Sequence, residues 1–162
     1  MDFSANFASL APVIGTVISI RPQPGDCTMQ MLSLSTETGP VNFIISPDTH
    51  ILNDTRLRAG MRVVAYYDAS LPVPLIFPPQ YRALLISTLR PGEQVNLSRF
   101  DRSLTAMDRS LRLNVVPSTT VQTLNGQNFS CPLGGRVLLV FYSNTTRSIP
   151  PQTTPRKIVV LS

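Results

Sequence analysis

The chain has 162 residues, 43% of them apolar and 14% charged, with 15 Pro, 8 Gly, 2 Cys, one His, no Trp and a formal net charge of +5. An ordinary apolar fraction with sparse charge excludes a disordered chain, and no run approaches the ~18 uninterrupted apolar residues of a membrane helix, so a folded protein without a membrane span is expected. One His and nine scattered carboxylates supply little acid–base machinery, so the sequence predicts a protein that is not an enzyme, with no catalytic residue, no cofactor and no metal site.

In chain order, residues 1–12 (MDFSANFASLAP) come first, with an acid at position 2 and no Arg or Lys before Arg21. The basic region of a secretory signal is missing, which makes an intracellular address the default. Phe3, Phe7 and Leu10 make this segment apolar, and it reads as an arm. Such an arm either lies on its own domains or docks on a neighbouring subunit by adding a strand to an exposed sheet edge.

Short β-rich runs punctuated by Pro, Gly, Asn and Asp then follow. Strands are expected at Val13–Ile20, Thr28–Leu34, Val41–Ile45, Arg62–Tyr67 and Arg82–Thr88, with turns at PQPGD (22–26) and STETGP (35–40). The second half repeats the pattern. Phe43–Ile51 aligns with Leu113–Val121 at a shift of 70, Gly60–Val64 with Gly134–Leu138 at 74, and Tyr67 with Tyr142 at 75. A Pro-rich loop follows each Tyr, ASLPVPLIFPPQ in one half and SNTTRSIPPQTTP in the other, and each leads to an apolar strand. The chain therefore reads as a tandem duplication: an arm (1–12), a first repeat (13–90) and a second repeat (91–162), divided near Arg90-Pro91-Gly92.

One segment carries two readings. Phe100, Leu104, Met107 and Leu111 recur at helical spacing behind Ser98 as a cap, whereas correspondence with the first half predicts two short strands and a hairpin turn. The correspondence has the greater weight. The resulting fold class is all-β: two tandem small five-stranded OB-like barrels with an N-terminal extension.

The Pro-rich stretches, above all RSIPPQ at Arg147–Gln152, resemble repeats of poorly characterised, chiefly clostridial β-barrel modules found in envelope proteins beside copper amine oxidase-like stalk domains. The first copy departs from that motif with LIFPPQ at Leu75–Gln80. The resemblance implies the fold and a surface or assembly role, and carries no catalytic residue across.

Candidate contact residues cluster at these loops. Tyr67, Phe77, Pro78, Pro79 and Tyr81 surround the first, with Tyr66 beside them. Proline lowers the entropic cost of holding a loop, so this ridge suits protein docking. Alternatively, Leu75, Ile76 and Phe77 fold back to plug the open end of the barrel. Arg147, Pro150 and Pro151 form the counterpart ridge, which is less apolar.

With Asp48 and Asp54 as the nearest acids in sequence, His50 would give a metal site a single nitrogen ligand, so it reads as a turn residue, with Asp48 making an Asx turn, a role Ser118 could fill equally well. Cys27 and Cys131, far apart and outside any CxxC, read as two buried free thiols rather than a bridge.

Charge is segregated. Six Arg balance six acids up to residue 90, and the entire excess lies beyond, whereas seven of the eleven aromatics lie in the neutral half. An OB-type single-stranded nucleic-acid binder needs cations and stacking rings on one face, so that reading comes second. The first reading is a structural subunit, a homo-oligomer or polymer through the arm, on a bacterial surface or in an extracellular fibre.

Overall fold

The computed structural model describes residues 7–162. Among them there is no α-helix, and the architecture is all-β. Two compact units divide the chain, Ser9–Pro91 and Gly92–Ser162, with Phe7 and Ala8 grouped with the second.

The first unit contains β1 (Leu10–Gln23), β2 (Asp26–Thr36), β3 (Gly39–Ile45), β4 (His50–Ile51), β5 (Arg62–Asp68), β6 (Gln80–Arg82) and β7 (Leu85–Thr88), in the sheet order β4-β7-β5-β1-β2-β3-β6. β1 is rich in β-branched residues, which suit a pleated, half-buried surface. It begins at Leu10 and pairs Leu10, Ala11 and Pro12 with Asp68, Tyr67 and Tyr66, so the last three residues assigned to an arm belong to this sheet. Pro24 and Gly25 turn the chain into β2, Gly25 taking φ +82° as the second central residue of a type II turn does. Val17, Leu32, Leu34, Val41, Phe43, Val63, Ala65 and Ile86 form the core.

The second unit contains β8 (Gln94–Arg99), β9 (Arg112–Leu113), β10 (Thr120–Thr123), β11 (Val137–Tyr142), β12 (Gln152–Thr153) and β13 (Lys157–Val160), in sheets ordered β10-β13-β11-β8 and β12-β9. Each of these strand pairings has a twin in the first unit. Phe43 faces Tyr81 where Leu113 faces Thr153, and both pairings are parallel. Ile51 and Ala65 flank Ile86 as Val121 and Val140 flank Ile158. The bridges Phe100 to Ala106 and Thr105 to Arg112 stand in for the β1–β2 and β2–β3 ladders.

This register corrects the sequence alignment by one residue at one place. Gly60, at φ +91°, donates its N–H to Val17, and Gly135, at φ +79°, donates its own to Phe100. Gly60 therefore corresponds to Gly135 rather than Gly134, and the shift is 75 through the whole strand. A left-handed backbone position favours glycine, and of the Gly134-Gly135 doublet only the second occupies it.

Residues 100–111 carry turns, not a helix. Asp101 Oδ1 accepts the N–H and hydroxyl of Ser103, and Asp108 Oδ1 accepts those of Ser110, so the near-repeat DRSL…DRSL is a pair of Asx turns. Met107, at the helical spacing, is 64% exposed. The long hairpin spanning residues 18–33 in the first unit shrinks here to the tight turn Asp101–Leu104.

The predicted last strand, Arg82–Thr88, is two strands broken at Ala83 and Leu84. Ala83 donates its N–H to Ile44 of β3, and Leu84 donates to Tyr66 of β5. The chain changes neighbours within these two residues.

Candidate functional site

The break after β6 and β12 is held by a threonine in each unit. In the turn after β3, Thr49 Oγ1 accepts the Ser46 N–H at 3.0 Å and donates to the Ala83 carbonyl at 2.7 Å. Thr119 repeats both bonds, accepting from Val116 at 3.3 Å and donating to Pro155 at 2.9 Å. The turn therefore depends on Thr49 and Thr119, not on Asp48 as an Asx acceptor. The sequence carried this signal, since both threonines sit at the shift of 70.

A groove lies beside this junction in both units. Its walls are the turn, the end of β5 or β11, the Pro-rich loop and the broken strand. Each loop contains a cis peptide at the corresponding point, Phe77-Pro78 and Ile149-Pro150. Each is pinned at its end by the next carbonyl, Pro79 O accepting from Asn42 and Pro151 O from Arg112.

In the first unit the groove encloses about 400 Å³. Tyr67 and Tyr81 line it with rings stacked at 4.0 Å, and Phe43 backs both. Burial, and then the neighbouring Tyr81, push the Tyr67 phenol above its ordinary range. Leu71, Pro72 and Val73 contribute a wall, and Asp48, Asp68 and Arg82 the charged groups. The hydroxyl and N–H of Ser70 hold the Asp68 carboxyl below the usual range, so it is an anion at neutral pH. The Asp48 carboxylate has no hydrogen-bond or ion-pair partner among the described residues.

In the second unit the groove encloses about 630 Å³ and is lined by hydroxyls and amides, including Ser118, Asn144, Thr146 and Gln152. Thr153 replaces Tyr81 and donates to the Asn144 carbonyl, so no ring stack forms on Tyr142. Among the described residues that line it the one cation is Arg156, which clamps Glu93 with two bonds of 2.7 and 2.8 Å. That carboxylate raises the guanidinium pKa further. The first unit has Leu84 and Leu10 at the corresponding positions. The corresponding grooves of the two units thus differ, one aromatic and apolar, the other lined mainly by neutral polar groups.

The expected contact residues are brought together unevenly. Tyr67 and Tyr81 share the groove, while Phe77 is 83% exposed and Leu75 102%, so Leu75, Ile76 and Phe77 do not fold back as a plug. Pro78, Pro79, Pro150 and Pro151 are half-buried, and Arg147 is exposed. Of the arm, Phe3 lies outside the described residues. Phe7 sits under the Arg99 guanidinium at 5.8 Å, and Leu10 is half-buried in β1.

His50 is a strand residue whose N–H bonds Leu84, and no group of three His, Cys, Asp or Glu among the described residues could hold a metal. Cys27 and Cys131 are free, as expected, but both are exposed rather than buried, Cys27 beside a hairpin turn and Cys131 in a loop.

In the basic half, Phe100 and Phe141 are fully buried and Phe129 is covered by Arg136 at 4.9 Å, so its rings do not form a free stacking face. No helix among the described residues is long and apolar enough to cross a membrane. No family model matches the chain, and no curated protein matches it.

Proposed function

We propose that this protein is a non-catalytic structural subunit that assembles through protein contacts, its two units being OB-like barrels in tandem. The barrel reading is supported by the break at Ala83 and Leu84. β6 pairs with β3 at one edge of the sheet while β7 pairs with β5 beyond β1, so these two successive strands reach opposite sides of an unclosed sheet, an arrangement that resembles the fifth strand of an OB barrel.

The observation that carries the assembly reading is the first Pro-rich loop. Leu71, Val73, Leu75, Ile76 and Phe77 are all exposed within seven residues. Contiguous exposed apolar side chains mark interaction surfaces, whereas scattered ones need no explanation. This supports the loop, whose Leu71 and Val73 also wall the groove, as a contact surface beside the arm residues Phe3, Phe7 and Leu10 expected from the sequence. A setting on a bacterial surface or in an extracellular fibre is proposed on the resemblance of the Pro-rich stretches alone.

The test is light scattering over a concentration series. The reading predicts species heavier than the 17.8 kDa chain, shifted toward monomer by the double substitution Leu75→Ser and Phe77→Ser. A monomer at every concentration overturns it. So does salt-sensitive retardation of single-stranded oligonucleotides by a monomer, which instead favours nucleic-acid binding.

A further inference from the structure

The two diverged grooves sit beside loops that differ in a complementary way. The first unit's groove combines the Tyr67–Tyr81 stack, the apolar wall of Leu71 and Val73, and two carboxylates, Asp48 and Asp68, against a single Arg82, leaving its lining acidic by one charge. The second unit's loop, Thr146–Pro151, presents Arg147, which is exposed and makes no hydrogen bond or ion pair among the described residues, and two residues on Ile149, 98% exposed. The corresponding loop of the first unit has no cation at all between Ala69 and Gln80, so the pairing has a direction.

We propose that the groove of the first unit receives the Arg147–Ile149 loop of a second copy of this chain. This deepens the assembly reading and rests on it. The guanidinium is matched to its site chemically: Arg stacks on aromatic faces and pairs with carboxylates, and Tyr67, Tyr81, Asp48 and Asp68 offer both within one cavity. Ile149 supplies an apolar group for the wall of Leu71 and Val73. A second copy is favoured as occupant because the Asp48 carboxylate and the Arg147 guanidinium, neither with a partner among the described residues, are complementary charges on different units of the same sequence, and the exposed side chains of Leu71 and Ile149 are both apolar. The contact joins two unlike surfaces. Each copy added therefore leaves one groove and one loop open, and growth continues until the rotation closes a ring.

The test uses the full chain with two pairs of exposed substitutions. A groove variant carries Asp48→Lys and Leu71→Ser; a loop variant carries Arg147→Glu and Ile149→Ser. Each is expected to be monomeric alone by sedimentation velocity. Mixed in equal amounts, they are expected to form a dimer and nothing larger, because only one intact groove meets one intact loop. Circular dichroism spectra matching the parent show that both variants fold. A loop variant that assembles like the parent, or a mixture that stays monomeric while the parent assembles, overturns this contact and leaves the assembly reading standing. A parent chain that is itself monomeric removes both together.

Discussion

Thr49 and Thr119, seventy residues apart, make the same two hydrogen bonds: each accepts a backbone N–H three residues upstream and donates to the carbonyl at the break in its unit's last strand. A single hydroxyl thus ties the turn that opens the groove to the strand that closes it. Replacing it with the near-isosteric Val leaves a donor and an acceptor without their partner. Thr119→Val is expected to lower stability by about 1–3 kcal/mol. Thr49→Val, at the less buried site, is expected to cost less, and urea unfolding of the two variants checks the order.

Glu93 and Arg156 are a second pair with a twin, although here the twin is apolar. Glu93 is 1% exposed, so Arg156→Ala removes the guanidinium from a buried carboxylate and should cost about 3 kcal/mol or more. The double substitution Glu93→Leu with Arg156→Leu imitates Leu10 and Leu84 of the first unit. It should recover most of that loss in denaturant titrations. A double variant as unstable as Arg156→Ala would show that the two units' scaffolds are not interchangeable here.

The cores show a compensated exchange. Val17 faces Leu34 across β1 and β2, while Phe100 faces Ala106 at the corresponding bridge, so a large and a small residue replace two of middle size. Leu34→Ala alone should cost about 2–5 kcal/mol through the cavity it leaves. Val17→Phe alone should cost about 1–3 kcal/mol through overpacking. Together they should cost less than their sum, a coupling that a double-mutant cycle measures.

Acid should weaken the second unit's first hairpin. The Ser103 hydroxyl, followed by the Thr105 N–H, holds the Asp101 carboxyl below its ordinary value of 3.8. A carboxyl with a lowered folded pKa contributes stability above its unfolded pKa and loses it as pH falls through the folded one. Asp101→Ala should therefore melt earlier than the parent at neutral pH. The difference should shrink once the pH drops below 3.8, as thermal melts across that range would show.

The correspondence between the two units was legible because β-branched runs, the matched tyrosines and the paired Pro-rich loops recur as patterns along the chain. The break at Ala83 and Leu84 was not, since RALLI reads as one apolar run and only backbone bonding to Ile44 and Tyr66 divides it. The helical spacing of Phe100, Leu104, Met107 and Leu111 gave way to Asx turns because Asp101 and Asp108 offer the backbone closer partners than a helix does. Hydrophobicity could not say whether Leu75 to Phe77 plugged a barrel or faced solvent, because both uses select the same residues. The grooves join residues from four separate stretches, and no one stretch announces them.

Electron microscopy of the purified chain addresses the proposed assembly most directly. Head-to-tail docking of unlike surfaces predicts rings or extended rows of particles that disappear with Arg147→Glu and Ile149→Ser. A field of single particles, or assemblies that persist in that variant, would contradict it.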